Sequence, residues 1–267
     1  MDAECYELYA VRYGRHERDS SANYIGGDPH DVSEPIDYFV WAIVGEQATY
    51  IVDTGFDDVV ASKRGRDLIS PVSEGLAALG VELNQIRDVI VTHMHFDHAG
   101  NLDLFPNARF HMQDAEMEYA TGRCMCFPSM NAVFEVDQVV ATVRAVFDGR
   151  VAFHNGDSSI APGISVHRIG GHSKGLQCVR VNTKRGPVVL ASDASHLYAH
   201  FQEGRIFPIT YNVAEVMVGY ETLRKLAPSD HHIIPGHDPL VLERYPTARP
   251  GLENWVARLD IDPVIST

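Results

Sequence analysis

Four side chains able to bind a metal fall within the short run His93-Met94-His95-Phe96-Asp97-His98. Imidazole nitrogens and a carboxylate oxygen form a ligand set that zinc accepts. The preceding run from Ile86 to Thr92 (IRDVIVT) predicts a buried strand that feeds straight into the cluster. Alternate residues of a strand share a face, so His93 and His95 point to one side. Asp97 and His98 then point from the turn toward a neighbouring position. Four such ligands this close, with no cysteine among them, suit two adjacent metals better than one closed structural site. The same donor set takes Zn, Mn, Fe or Co.

Three further candidates stand alone, each just past an expected strand. His172 lies in Gly170-Gly171-His172-Ser173-Lys174-Gly175 after a strand at 164–169, and Asp193 follows a strand at 187–192. His237 lies in Pro235-Gly236-His237-Asp238 after a short strand at 232–235. A lone histidine or aspartate in a turn is more often structural than reactive. Their joint occurrence in one chain carries the argument, because loops at strand ends are where a rigid scaffold presents chemistry.

The elements that must position these residues are mostly strands. They are expected at 5–12, in a hairpin at 38–44 and 48–53 around Gly45-Glu46-Gln47, and at 108–112 and 177–182. Ser70-Pro71 predicts a helix start with proline at the first helical position, Val72, Leu76 and Leu79 on one face, and Gly80 as the stop. Asn212 and Glu215 resemble a capping box ahead of Val213, Val216, Met217, Tyr220, Leu223 and Leu226 at helical spacing. The segment 113–150 is less strand-like and predicts a helix carrying Val136, Val139, Val140, Val143 and Phe147. Met125, Phe127 and Met130 in that segment suit an apolar pocket wall, although core packing is the commoner fate of such residues.

Length and charge bound the partners. The chain has 267 residues, read as one domain spanning 1–267, and its formal net charge is −14 from 36 acidic and 22 basic residues. No Lys/Arg cluster offsets that balance, which speaks against nucleic acid and anionic membrane surfaces as partners. No apolar stretch approaches a membrane span. The start Met1-Asp2-Ala3-Glu4-Cys5 has no basic region followed by an apolar one, and the spacing of Cys5, Cys124, Cys126 and Cys178 gives no disulfide framework. A cytoplasmic protein with free thiols is the expectation.

The series HxHxDH, then a histidine in a GH-x-x-G turn, then an aspartate after a strand, then a late Gly-His resembles the metallo-β-lactamase superfamily. The resemblance runs from the first hairpin to Gly236-His237. It implies an α/β fold, a four-layer αβ/βα sandwich of two mixed sheets flanked by helices, with metals at one edge between the sheets. It further implies that His93, His95 and His172 hold one metal, that Asp97, His98 and His237 hold the second, and that Asp193 bridges both. Asp53, in IVDTGF, matches an early strand-end aspartate that orients a ligating imidazole.

Within the superfamily, HMHFDHAGNL, GGHSKGLQ, SDAS and PGHDP are similar to the N-acyl homoserine lactonase-like, quorum-quenching branch. That similarity implies an enzyme with two Zn2+ per chain. It would open a small-molecule lactone or similar cyclic ester by attack of a metal-bridging hydroxide on the carbonyl. A homodimer is compatible with it. Asp97 is then a candidate proton shuttle. The sequence departs from the branch in two places. His196 stands three residues after the bridging aspartate, where the branch carries tyrosine, with Tyr198 out of register; Lys174 stands where proline is common. His196 is the candidate replacement donor. A thioesterase or cyclic amide hydrolase of the same fold, or a non-catalytic metal-binding protein, are the alternatives. The complete ligand set argues against the last.

Overall fold

The computed structural model describes residues 4–264, so the Met1-Asp2-Ala3 start lies outside the described residues. The Val-, Ile- and aromatic-rich first part of the chain forms β1 (Glu7–His16), β2 (Ile36–Val44) and β3 (Thr49–Val52), paired antiparallel in that order. The expected hairpin is present, its turn closed by Gly45 N–H donating to the Ala48 carbonyl at 2.9 Å. The short β4 (Asp67–Leu68) pairs with β1. Parallel pairing then carries the sheet from β3 through β5 (Asp88–Ile90) and β6 (Arg109–Gln113) to β7 (Val151–His154).

A second sheet contains β8 (Ser158–Ala161), β9 (Ile164–Arg168), β10 (Gln177–Thr183), β11 (Gly186–Ser192) and β12 (Ile233–Pro235). Only its β11–β12 pair is parallel. β13 (Val256–Arg258) returns to the first sheet beside β1.

The residues of β1 alternate between two cores. Leu8 and Ala10 join Phe39, Trp41 and Ile43 against Val166, Val179 and Val181 of the second sheet. Tyr9, Val11 and Tyr13 face the other way, in the core shared with Val72 and Leu76 of α2 (Val72–Ala78). Helices cover the outer face of each sheet: α2 and α5 (Val136–Phe147) on the first, α7 (Val213–Leu226) on the second. Because both faces of the first sheet are covered, Ile36–Ile43 is one uninterrupted buried run rather than an alternating one. Each such large side chain removed from water contributes about 1.5–3 kcal/mol.

The remaining helices are α1 (Asp58–Arg64), α3 (Asp114–Thr121), α4 (Pro128–Asn131), α6 (Tyr198–Glu203) and α8 (Leu240–Arg244). Among the described residues no helix is long and apolar enough to cross a membrane.

Three local expectations changed. The helix signalled by Ser70-Pro71 begins at Val72 with Pro71 as its cap, and Ser70 Oγ donates to the Glu74 carboxylate at 3.1 Å instead. The strand expected over 86–92 is regular only at Asp88–Ile90. Beyond it the Thr92 N–H donates to Asp53 Oδ1 at 2.7 Å and the Thr92 carbonyl accepts from Gln177 N–H, so side chain and opposite sheet replace the ladder. Helix α5 has the expected extent, but its buried face is centred on polar and small residues rather than on the valine row. Gln138, Thr142 and Ala145 face inward, while Val136 and Phe147 are 76% and 87% exposed. The inward glutamine satisfies a carbonyl of the histidine-rich loop, with Nε2 donating to Phe96 O at 3.2 Å.

Candidate metal centre

The ends of β3 and β11 meet at one edge of the sandwich in strained backbone. Asp53 and Ser192 take φ values of 61° and 48°, a left-handed conformation costly for residues other than glycine. Buried side-chain bonds hold it. The Asp53 carboxylate accepts from Thr92 N–H, from Thr92 Oγ1 at 2.8 Å and from His98 Nδ1 at 2.7 Å. Thr92 Oγ1 also lies 2.9 Å from Ser192 Oγ, tying the two sheets together. Burial pushes the Asp53 carboxyl up, opposed by His98 and by the Thr92 bonds.

That bond to Nδ1 directs the other nitrogen of His98 inward, as carboxylates behind metal-binding imidazoles do. His98 Nε2 lies 3.2 Å from Asp193 Oδ1 and 3.4 Å from Asp97 Oδ2. His237 is turned the same way by a backbone group: Nδ1 is 2.9 Å from the Asp37 carbonyl and Nε2 is 2.9 Å from Asp193 Oδ1. The second oxygen of Asp193 serves the other histidines. Oδ2 stands 3.1 Å from His172 Nε2 and 3.7 Å from His93 Nε2, and His172 Nε2 is 2.8 Å from His95 Nδ1. Donor atoms of His93, His95, His172 and Asp193 lie within 4.8 Å of one another, and so do those of Asp97, His98 and His237.

These residues fit a divalent cation on their own chemistry. The Nε2 atoms of His93, His95 and His98 are buried without a hydrogen-bond partner, an arrangement that native interiors avoid unless something else is bound there. Burial and neighbouring imidazoles push His93 and His95 well below the usual histidine range. Burial opposes ionisation of Asp193, but the surrounding histidines outweigh it and hold the carboxyl well below its ordinary value. Asp97 is likewise drawn down to about 2 against burial, chiefly by His98 and His237. His98 is raised well above its ordinary value, since Asp193, Asp97 and Asp53 together outweigh its burial. Ionised carboxylates and neutral imidazoles are the metal-binding forms, and the raised His98 registers the negative field that cations would neutralise.

The sequence characteristic of the metallo-beta-lactamase superfamily matches residues 35–237. The chain belongs to that superfamily. The N-acyl homoserine lactonase AttM of Azorhizobium caulinodans is 27% identical over 243 residues, covering 80% of this chain and 85% of that protein. A solved quorum-quenching N-acyl homoserine lactone lactonase superposes with a TM-score of 0.72 at 23% identity, over 89% of this chain and 94% of the other. AidC, a dizinc quorum-quenching lactonase, gives 0.68 at 14% identity over 89% of each chain.

Sequence reasoning missed the brace beneath this metallo-beta-lactamase site. Glu116, fully buried on α3, accepts from Met94 N–H at 2.9 Å, Ser173 Oγ at 2.7 Å and Gly175 N–H at 2.9 Å. It thus joins the loop of His93–His98 to the loop of His172. Gly175 is required there because a Cβ would stand 2.2 Å from the Glu116 backbone nitrogen. Tyr13 supports Asp97 from below, its hydroxyl donating to the Asp97 carbonyl at 2.7 Å. A lone glutamate in DAEMEY gives no local signal of such a role.

His196 does reach the superfamily site. Its Nε2 lies 3.0 Å from Asp193 Oδ2, and its ring stacks on Phe207 at 3.7 Å between centroids. The cavity above the ligands is walled by Tyr38, Phe96, Val133, Phe207 and Ile209. Met125, Phe127 and Met130, expected in that wall, are not in it. Met125 borders a separate depression beside α5, Phe127 is 51% exposed, and Met130 is half-buried. The chain after α3 makes short turns at 123–131 and reaches the cavity only beyond them, where Val133 lines it and the Phe134 ring lies 4.9 Å from that of His95. Tyr198 sits elsewhere, its N–H donating to the Asp238 carboxylate, and Lys174 is paired on the surface with Glu118 at 2.8 Å.

Proposed function

We propose that this superfamily member is a dinuclear metal-dependent hydrolase that opens a lactone or similar cyclic ester. The observation that carries the reading is the division of the Asp193 carboxylate, with Oδ1 toward His98 and His237 and Oδ2 toward His172 and His93. A closed structural site has no use for a carboxylate shared between two ligand sets. His93, His95 and His172 would hold one ion, Asp97, His98 and His237 the other, and Asp193 both. Two bound divalent ions supply a water of lowered pKa and a Lewis acid for an acyl carbonyl. Zinc is the metal of this reading, by analogy with the dizinc lactonase of like fold, and the His/Asp donor set is compatible with it. Similarity to an N-acyl homoserine lactonase supports a cyclic ester as substrate.

The chain's own groups perform the remaining steps. Asp53 and the Asp37 carbonyl fix the orientation of His98 and His237, so no reorganisation is needed on binding. Asp97 borders the cavity and carries the proton released on attack to the departing ring oxygen. His196 is held flat by Phe207 with Nε2 3.0 Å from Asp193 Oδ2, and would turn that single N–H from Asp193 to the carbonyl or the leaving oxygen of the substrate. A cytoplasmic, single-domain protein belongs to the same reading.

Metal analysis together with a panel of lactones, β-lactams and thioesters tests it. Two metals per chain, lactone opening and its loss on chelation are the expected results. Preference for thioesters or β-lactams would overturn the substrate class. Hydrolysis of no member would leave a metal-binding protein without this activity.

A further inference from the structure

We propose that Arg18 and Arg66 form an anion subsite at the rim of the metal cavity, made for a carboxylate carried by the substrate. The proposal rests on the hydrolase reading and adds the charge of the molecule turned over. The two arginines come from separate loops, one after β1 and one after α1, yet both line the cavity that Asp193, His196 and His237 floor. Their neighbours in sequence are neutralised: Arg15 pairs with Asp37 at 3.1 Å and Arg64 with Glu135 at 2.8 Å. Arg18 and Arg66 form no ion pair among the described residues. Their hydrogen bonds go to neutral oxygens, Arg18 to the Ala22 carbonyl and Arg66 to the Arg64 and Gly65 carbonyls and to the Tyr38 hydroxyl, and none goes to a carboxylate. The Nε of each is buried without a partner.

Two half-buried guanidinium groups without a carboxylate are unfavourable in a protein of net charge −14, where acidic side chains are plentiful. Burial, with Arg66 and Arg18, pushes the adjacent His16 down to about 4. Arg18 Cζ lies 5.1 Å from the Phe207 ring, and Arg66 Cζ lies 6.0 Å from the Phe96 ring, beside Arg64, which sits over that ring at 4.1 Å. Phe207 in turn stacks on His196, which touches Asp193. One continuous line of contacts therefore runs from the rim to the ligand cluster. A molecule whose carbonyl sits at the cluster places a substituent at the arginines, and the guanidinium fork matches a carboxylate.

The test uses the metal-loaded full chain and a binding probe that needs no hydrolysis. Calorimetric titration compares the diacids from succinate to adipate with their monomethyl esters. At least one diacid should bind about tenfold or more tightly than its ester, the gain of a charge-assisted contact. Arg18→Gln and Arg66→Gln should erase that preference without changing metal content or ester affinity. Arg18→Lys and Arg66→Lys, matched in melting temperature, should keep part of it. Equal affinity of diacids and esters across the series overturns the subsite, as does an equal loss for both in the Gln variants. In parallel, a carboxylated lactone should be opened with a lower KM than its methyl ester. Lactone opening without any carboxylate preference would refute the subsite and leave the hydrolase reading standing. Diacid preference without lactone opening would refute the lactone assignment and leave the subsite standing.

Discussion

The floor and the rim of the metal cavity are built on opposite principles. On the floor all seven side chains proposed to hold metal are buried. His98 and His237 are turned by Asp53 and by the Asp37 carbonyl, and Glu116 clamps two ligand loops together. The rim consists of Arg18, Arg66, Phe207 and Ile209 from loops, held by ring stacking and main-chain carbonyls. Strand ends therefore fix the chemistry, and loops are left to select what reaches it. The floor also concentrates like charges and strained backbone that only a tightly packed sandwich can hold in place.

Substitutions should separate these two regions. The largest effect is expected from Asp193→Ala, which removes the carboxylate facing both ligand sets. Metal content should fall below two per chain, and turnover should drop roughly 10³-fold, as measured by elemental analysis and lactone hydrolysis. Retention of both metals at full rate would remove the distinction between floor and rim. His196→Ala is expected next, with turnover lowered about 10²-fold and both metals retained. Unchanged turnover on the true substrate would reassign His196 to packing on Phe207.

Asp53→Asn keeps the shape but removes the charge behind His98. Metal affinity should weaken by roughly 10–100-fold in chelator competition, and a wild-type affinity would show that Asp53 only braces Thr92.

The smallest effect on turnover concerns His200, beneath the rim. Its Nδ1 accepts from Leu197 N–H and its Nε2 donates to the Asn23 carbonyl, each at 3.0 Å, so the neutral ring is fully used. Burial is the main cause pushing its pKa down to about 4. The unfolded chain, titrating near 6.5, then binds more protons between those values. The contribution of His200 to the stability of the metal-free protein should be fully present above pH 6.5 and decline as the pH falls toward 4. Urea unfolding at pH 7 and pH 5 should show a smaller difference in His200→Gln. His16, also held near 4, contributes a slope of the same sign that the variant retains. An unaltered difference would show that His200 is not a source of the acid sensitivity.

Much of the floor was readable along the chain because its signals are local. A strand leading into HxHxDH, single ligands just past strand ends, and Asn212 ahead of α7 each depend on a few adjacent residues. Asn212 caps α7 as expected, its side chain accepting from Ala214 and Glu215 N–H groups, but the reciprocal half of the box does not form, because the Asn212 N–H donates to the Gly171 carbonyl. The short β7, β8 and β13 were not seen, since β7 and β8 are half-exposed and β13 is only three residues long. The sequence by itself thus determined the ligand types, their spacing and the alternation of strands and helices that brings them to one edge.

Tertiary structure alone decided the rest. It turned Gln138 inward toward the Phe96 carbonyl and left Val136, Val140 and Phe147 of α5 exposed, and it placed Glu116 between two loops. It kept Met125, Phe127 and Met130 away from the cavity and brought Arg18 and Arg66 together at its rim. The physical reason is common to these cases. A buried carbonyl, N–H or charge is matched to whatever the fold brings within hydrogen-bond reach, and that partner can lie anywhere in the chain.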